Sequence, residues 1–380
     1  MKSLNFPYNP KIDHLRWFAA TIVFLYHFHL EYPSIGGASH SSWLGIVTEG
    51  HTGVGLFFVL SGFLFMQIAL RQGHIVYRDF IRNRFLRIFP LYFTIFLLAT
   101  SIGRDSFVPQ DIFYLLTSNL GLAPTSGTVI TGAAWCISLE FLFYMLFPFL
   151  SRFAMESGMR YLLKLLLLML FFKVAAYTVN AHSDLMYFST FVGRFDQFLI
   201  GMLAAMLFQR YAEWIGRHAA WLLPLSFGLA FFDSAIQAHF AAFAPGTKSP
   251  FWIVWSTIEG GGWACVILAW VGNTKPLPAW MDRVLCHGGK VSFSFYLLHM
   301  AVIHVAAQWF PSVPLASLTG NGWLDAVLWL SATYAATWGL ATLSYNVIED
   351  PFLRMRRGYG EVPNKNFREQ RADGTYKINR

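Results

Sequence analysis

The sequence predicts an all-α protein that crosses a membrane about ten times, and three observations carry that prediction. Hydrophobic residues make up 56% of the 380 positions and charged residues 13%, about half the ~25% charged share of a soluble globular chain. Aromatic residues reach 18%, including 14 Trp and 16 Tyr, the two types that favour membrane interfaces. The apolar residues fall into runs close to the roughly 20 that a spanning helix needs, and the basic residues gather between the runs. The net charge of +8 therefore flanks apolar segments instead of forming the single soluble patch that nucleic acid would require. Cys136, Cys265 and Cys286 are too few and too scattered for a disulfide framework or a zinc site.

The predicted spans are 14–31, 53–70, 88–103, 135–151, 161–178, 195–209, 219–237, 251–271, 291–310 and 323–347. The first follows Lys2 and Lys11, as a signal peptide would. No small-residue cleavage site follows it, and it contains Arg16 and His27, so it is expected to be retained. The second carries Ser61-Gly62, small residues that suit close helix packing. The third follows a basic stretch, and the fourth contains Glu140 near its outer end. Lys173 lies within the fifth; a short basic segment, 210–218, separates the sixth from the seventh. The eighth contains Glu259 beside Gly260-Gly261-Gly262, where a helix can loosen. His299 lies in the ninth, and the tenth leads into Glu349-Asp350-Pro351.

Orientation follows from Lys and Arg in the connections. With both termini cytoplasmic, the inner segments hold 24 of the 28 basic residues. Residues 1–353 then form one membrane-embedded domain. Residues 354–380, with 8 basic and 3 acidic side chains, form a cytoplasmic tail expected to be disordered and to dock on anionic headgroups.

Ionisable groups within a bilayer are costly, so each is a site candidate. Arg16 and His27 are eleven residues apart, three helical turns plus about 20°, which puts both on one face ~16 Å apart along the axis. At ~1.5 Å per residue, His27, Glu140, Ser61 and Glu259 reach similar depths, with His299 somewhat nearer the cytoplasm. They are expected to converge on one polar cavity. At the inner face, Arg84 and Arg87 are three apart and project from one side of a helix, with Arg82 close by. Guanidinium forks suit phosphates, although the positive-inside rule alone also demands basic residues there. A buried His can equally be a hydrogen-bonded packing residue, Glu140 a solvated vestibule group, and Asp13 a helix cap.

These residues lie in blocks that resemble a known family. The Arg16-x10-His27 helix is similar to the opening motif of the acyltransferase family 3 membrane proteins, bacterial enzymes that O-acylate glycans and other hydroxyl compounds. The resemblance continues through Gly53-Val54-Gly55-Leu56-Phe57-Phe58-Val59-Leu60-Ser61-Gly62-Phe63 and the Arg84-x-x-Arg87 segment ending Phe89-Pro90-Leu91-Tyr92. It includes Trp135-Cys136-Ile137-Ser138-Leu139-Glu140-Phe141-Leu142-Phe143-Tyr144 and Phe195-Asp196-Gln197-Phe198-Leu199-Ile200-Gly201. Ser292-Phe293-Ser294-Phe295-Tyr296-Leu297-Leu298-His299 and Ile348-Glu349-Asp350-Pro351-Phe352 complete it. The chain departs from the family pattern at His14, Trp17 and Gly55.

The resemblance implies an enzyme of the bacterial cell inner membrane that moves an acyl group, acetyl being expected, from cytoplasmic acyl-CoA to a glycan hydroxyl. Arg84 and Arg87, with Arg82 and Arg16, would hold the phosphates of the donor. His27 would be the general base, its reference pKa of ~6.5 lying near working pH. Glu140 would orient His27 or the acceptor. His299 or Ser61 would polarise the thioester carbonyl, and Ser138 is a further acceptor contact. No bound cofactor, metal or nucleic acid is expected; the partners are acyl-CoA, the hydroxyl acceptor and membrane lipids. A proton-coupled transporter or flippase using the same buried His and carboxylates is the alternative reading.

Overall fold

A computed structural model describes residues 8–32, 45–103, 135–179, 183–240, 249–309 and 319–358. Among these residues the regular elements are helices: α1 (Pro10–Glu31), α2 (Gly45–Thr48), α3 (Thr52–Gln72), α4 (Tyr77–Ile102), α5 (Trp135–Ser157), α6 (Met159–Val179) and α7 (Ser183–Ser189). There follow α8 (Phe191–Phe240), α9 (Phe251–Gly272), α10 (Ala279–Trp309), α11 (Gly322–Ser344), a π-helical turn (Tyr345–Glu349) and α12 (Asp350–Leu353). Eight of the helical stretches are long and apolar enough to span a membrane, and α1, which holds the first predicted span, is not among them.

The predicted spans map onto these helices, α4 beginning about three turns before its expected span, and two further differences are instructive. Residues 210–218 were expected to connect two spans, yet α8 runs for 50 residues with non-helical geometry at Tyr211 (φ −122°, ψ 17°). Straight, it would measure about 75 Å, far beyond a hydrocarbon core of ~30 Å. It instead turns back at the break, for Gln197 and Asp233, from its two halves, both flank Gly260–Gly262 of α9. The second difference is at α10, which begins at Ala279, three turns before the expected span. Its polar opening turns thereby place Asp282 and Cys286 four apart on one helical face.

The packing is that of a membrane protein. α6 turns Leu163, Leu167 and Phe171 outward and buries Lys173 completely, the reverse of a soluble amphipathic helix. α3 lies at the centre, and 78% of its most apolar window is buried. A methyl added at Gly62 of α3 would run into the Phe198 carbonyl of α8, and one at Gly201 of α8 into the Val59 carbonyl. Small residues thus let these two backbones touch.

α1 starts cleanly because the Asn9 side chain accepts from Lys11 N–H and Pro10 occupies the first turn. Its partner is α10: methyls at Gly288 and Gly289 would strike Trp17 and Asp13. At the far end of the described chain, Asn83 of α4 donates to the Arg357 carbonyl (2.5 Å) and accepts from the Arg357 N–H (3.0 Å). The first residues of the basic tail are therefore held against α4; the rest of the tail lies outside the described residues.

Candidate active site

The first-helix pair is placed as its spacing demands. α1 is continuous from Pro10 to Glu31, so Arg16 and His27 share a face. The close α1–α10 contact then carries His299 to His27: Nε2 of His299 lies 3.0 Å from Nδ1 of His27. That Nδ1 is also 3.0 Å from the Val23 carbonyl, while His299 Nδ1 meets the Tyr296 carbonyl at 2.5 Å. A carbonyl can only accept, and this fixes both tautomers for neutral rings. His299 carries its proton on Nδ1 and presents a lone pair on Nε2. His27 donates its Nδ1 proton towards Val23 and His299, which leaves the lone pair on Nε2. His299 is 1% exposed, whereas His27 is only partly buried.

A cavity of about 80 Å³ lies near this pair, with neither His27 nor His299 in its lining, and it gathers residues from five helices. Arg16 comes from α1, Ser61 from α3, Arg84 and Arg87 from α4, Glu140 and Tyr144 from α5, and Tyr296 from α10. Its charged lining is three guanidiniums against one carboxylate. Arg16 also contacts Asp13 (3.2 Å) and Arg87 contacts Glu349 (3.0 Å). The π-helical turn points Glu349 inward, where Ser294 of α10 also hydrogen-bonds to it. The Arg84 guanidinium lies over the Phe65 ring, 4.9 Å from its centroid, a cation–π arrangement.

Four sequence expectations change here. Glu140 does not orient His27; it accepts from Ser61 Oγ at 2.9 Å, and His299 takes the orienting position because α10, not α5, packs along α1. Ser61 and His299 consequently have their protons directed at Glu140 and at the Tyr296 carbonyl, so neither is aimed at an oxyanion in this geometry. Arg82 and Ser138 do not line the cavity; Arg82 is two residues from Arg84, about 200° around its helix. Glu259 does not converge with the imidazoles. It is buried against Arg194 (2.9 Å) and Gln197 (2.5 Å) in a separate polar cluster.

Tyr296 carries more of the site than its sequence context suggested. Its carbonyl anchors His299, its ring lies 5.6 Å from the His299 ring, and its hydroxyl meets the Cys136 thiol at 3.0 Å. It forms the wall between the arginine-lined cavity and the histidine pair. Its position three residues before His299, on the same face of the helix, was the available signal. Tyr144, four residues after Glu140, also lines the cavity, though its sequence context assigned it no role of its own.

A family model described as an acyltransferase domain matches residues 9–344. The chain is 30% identical over 161 residues to "Acyltransferase MdmB" of Streptomyces mycarofaciens, a match covering 40% of this chain and 41% of that protein. It is 23% identical over 374 residues to "Nodulation protein 10" of Rhizobium leguminosarum bv. viciae, covering 90% of this chain and 93% of that one. No solved structure matches.

Proposed function

The chain belongs to acyltransferase family 3, and from that premise we propose that it transfers an acyl group, acetyl first, from cytoplasmic acyl-CoA to a hydroxyl of a glycan or similar acceptor in the bacterial inner membrane. The observation that carries this reading is the meeting of Arg16, Arg84 and Arg87 on one cavity, with His27 three turns along the Arg16 helix. Guanidiniums at the cavity favour the phosphates of a nucleotide donor. The pantetheine arm would run beside α1 and past Tyr296, bringing the thioester to His27. Both termini would then be cytoplasmic, as the distribution of basic residues requires.

In direct transfer, His27 Nε2 removes the proton of the acceptor hydroxyl as its oxygen attacks the thioester carbonyl. The carbon–sulfur bond breaks, and the departing thiolate of CoA takes the proton back from the imidazolium. Two acceptors, Val23 and His299, hold the Nδ1 proton throughout, which keeps the ring oriented and disperses the transient positive charge. Glu140 and Ser61 form a hydrogen-bonded pair on the cavity wall that would contact the acceptor or the pantetheine amides.

Purified protein in lipid nanodiscs, given acetyl-CoA without acceptor, provides the test through donor binding and free CoA release. Wild type is expected to bind and slowly cleave, His27→Ala to bind without cleaving, and Arg84→Ala/Arg87→Ala to lose binding. The reading fails if wild type neither binds nor cleaves acetyl-, succinyl- or longer acyl-CoA.

A further inference from the structure

Where α1 and α10 begin, His14, Asp282 and Cys286 converge on a point that the acyltransfer machinery does not use. His14 Nε2 is 3.1 Å from Asp282 Oδ1, and the Cys286 thiol is 3.4 Å from the same nitrogen and 3.8 Å from Asp282 Oδ2. One ligand atom from each side chain lies within 4.8 Å of the others. His14 is 3% exposed, and its second ring nitrogen is buried without a hydrogen-bond partner.

Two chemistries use Cys, His and a carboxylate. A catalytic triad needs the thiol on one ring nitrogen and the carboxylate on the other, so that the proton taken from one side is balanced at the far side. Here both partners address Nε2 and the other ring nitrogen is buried without a partner, which is not the arrangement of a triad. A divalent metal resolves that convergence. With Zn²⁺ bond lengths of about 2.0–2.3 Å, tetrahedral geometry separates N from O by about 3.4 Å and N from S by about 3.6 Å. The observed separations, 3.1 and 3.4 Å, are within 0.3 Å of those edges.

We propose that His14, Asp282 and Cys286 form a Zn²⁺ site that clips the start of α1 to the start of α10. The donor set of imidazole, carboxylate and thiolate suits a borderline-soft ion, and binding displaces the thiol proton. The ligands are preorganised: Asp282 and Cys286 are one turn apart on α10, and Gly288 and Gly289 hold that helix against Asp13 and Trp17 of α1. Asp282 is 41% exposed, which provides a path for the ion and room for a water as fourth ligand. Asp13, next to His14, holds Arg16 at 3.2 Å, so the clip would steady the turn that presents Arg16 to the cavity. Linear spacing could not disclose this site, because Cys286 and His14 are 272 residues apart.

The full chain, freed of affinity tag and stripped of metal, would be titrated with Co²⁺ alone and followed by absorbance, then challenged with Zn²⁺. The expected result is one Co²⁺ per chain, a sulfur-to-cobalt charge-transfer band with four-coordinate visible bands, and their loss on adding one equivalent of Zn²⁺. Cys286→Ser should abolish the charge-transfer band. His14→Gln and Asp282→Asn should weaken Co²⁺ binding at least tenfold, and Cys265→Ser should change nothing. Zn²⁺ should raise the melting temperature of wild type but not of His14→Gln. No stoichiometric binding by wild type, or a charge-transfer band that survives Cys286→Ser, overturns the proposal.

Discussion

Two of the polar clusters buried among the described residues resolve the cost of burial differently. Lys173, Arg194, Asp196 and Glu259 form one: two cations and two carboxylates, paired at 2.6 and 2.9 Å and each 2% exposed or less. Ser256, Thr257 and Gln197 complete it, with Ser256 and Lys173 in contact and Thr257 donating to Asp196 at 2.5 Å. Its formal charge sums to zero, and every charged member faces an opposite charge. The His27–His299 pair is instead uncharged, and its tautomers leave a lone pair on the partly exposed member. Beside it the cavity lining carries three guanidiniums and one carboxylate. The difference teaches that depth in a membrane nominates a residue, whereas what its partners leave over decides what it can do.

That contrast can be broken by mutation. The largest effect is expected at His27: replacing it with Ala should lower CoA release about 10²–10⁴-fold, with donor binding and melting temperature held. Arg194→Ala should act on the other quantity, costing about 3–5 kcal/mol of stability because Glu259 is left buried and unpaired. Arg194→Leu/Glu259→Leu should recover most of that loss, as read from thermal unfolding. If Arg194→Ala instead melts like wild type and loses turnover, the ion-pair cluster is part of the chemistry and the division collapses.

A finer test lies within the histidine pair. Removing the acceptor that faces the His27 imidazolium, with His299→Ala, should slow turnover by about ten- to a hundredfold, the worth of a hydrogen bond to a charged group. KM for acyl-CoA should be unchanged, and His299→Gln, whose carbonyl can accept, should restore part of the rate. The smallest effect belongs to Asn83→Ala. It removes both hydrogen bonds to Arg357 and should cost about 1–2 kcal/mol of stability, leaving kcat for acyl transfer untouched.

Much of this was legible in one dimension. Apolar runs of spanning length and basic connections follow from the solvent, so the helices were found with errors mainly at their ends. The α8 break was read as a connection because Arg210 and Arg217 interrupt the apolar run, although residues near a membrane surface can stay helical. Arg16 and His27 were legible because a continuous helix makes spacing into geometry, and Arg84 and Arg87 for the same reason. The partner of His27 was not. Depth along separate helices made Glu140, Glu259 and His299 equal candidates, and only the rotation and neighbours of each helix separated them.

The amino-acid order by itself therefore determined the all-α membrane class, the approximate span positions, the arginine face and the histidine that shares a helix with Arg16. Each depends on interactions between a residue and its solvent or its own helix, which are local in sequence. The tertiary structure alone decided that His299 meets His27, that Glu259 is neutralised by Arg194, and that His14, Asp282 and Cys286 come together. Those pairings depend on which helix faces which. Close contacts at glycine, Gly288–Gly289 of α10 against α1 and Gly62 of α3 against α8, set that choice, and they act between segments far apart in the chain.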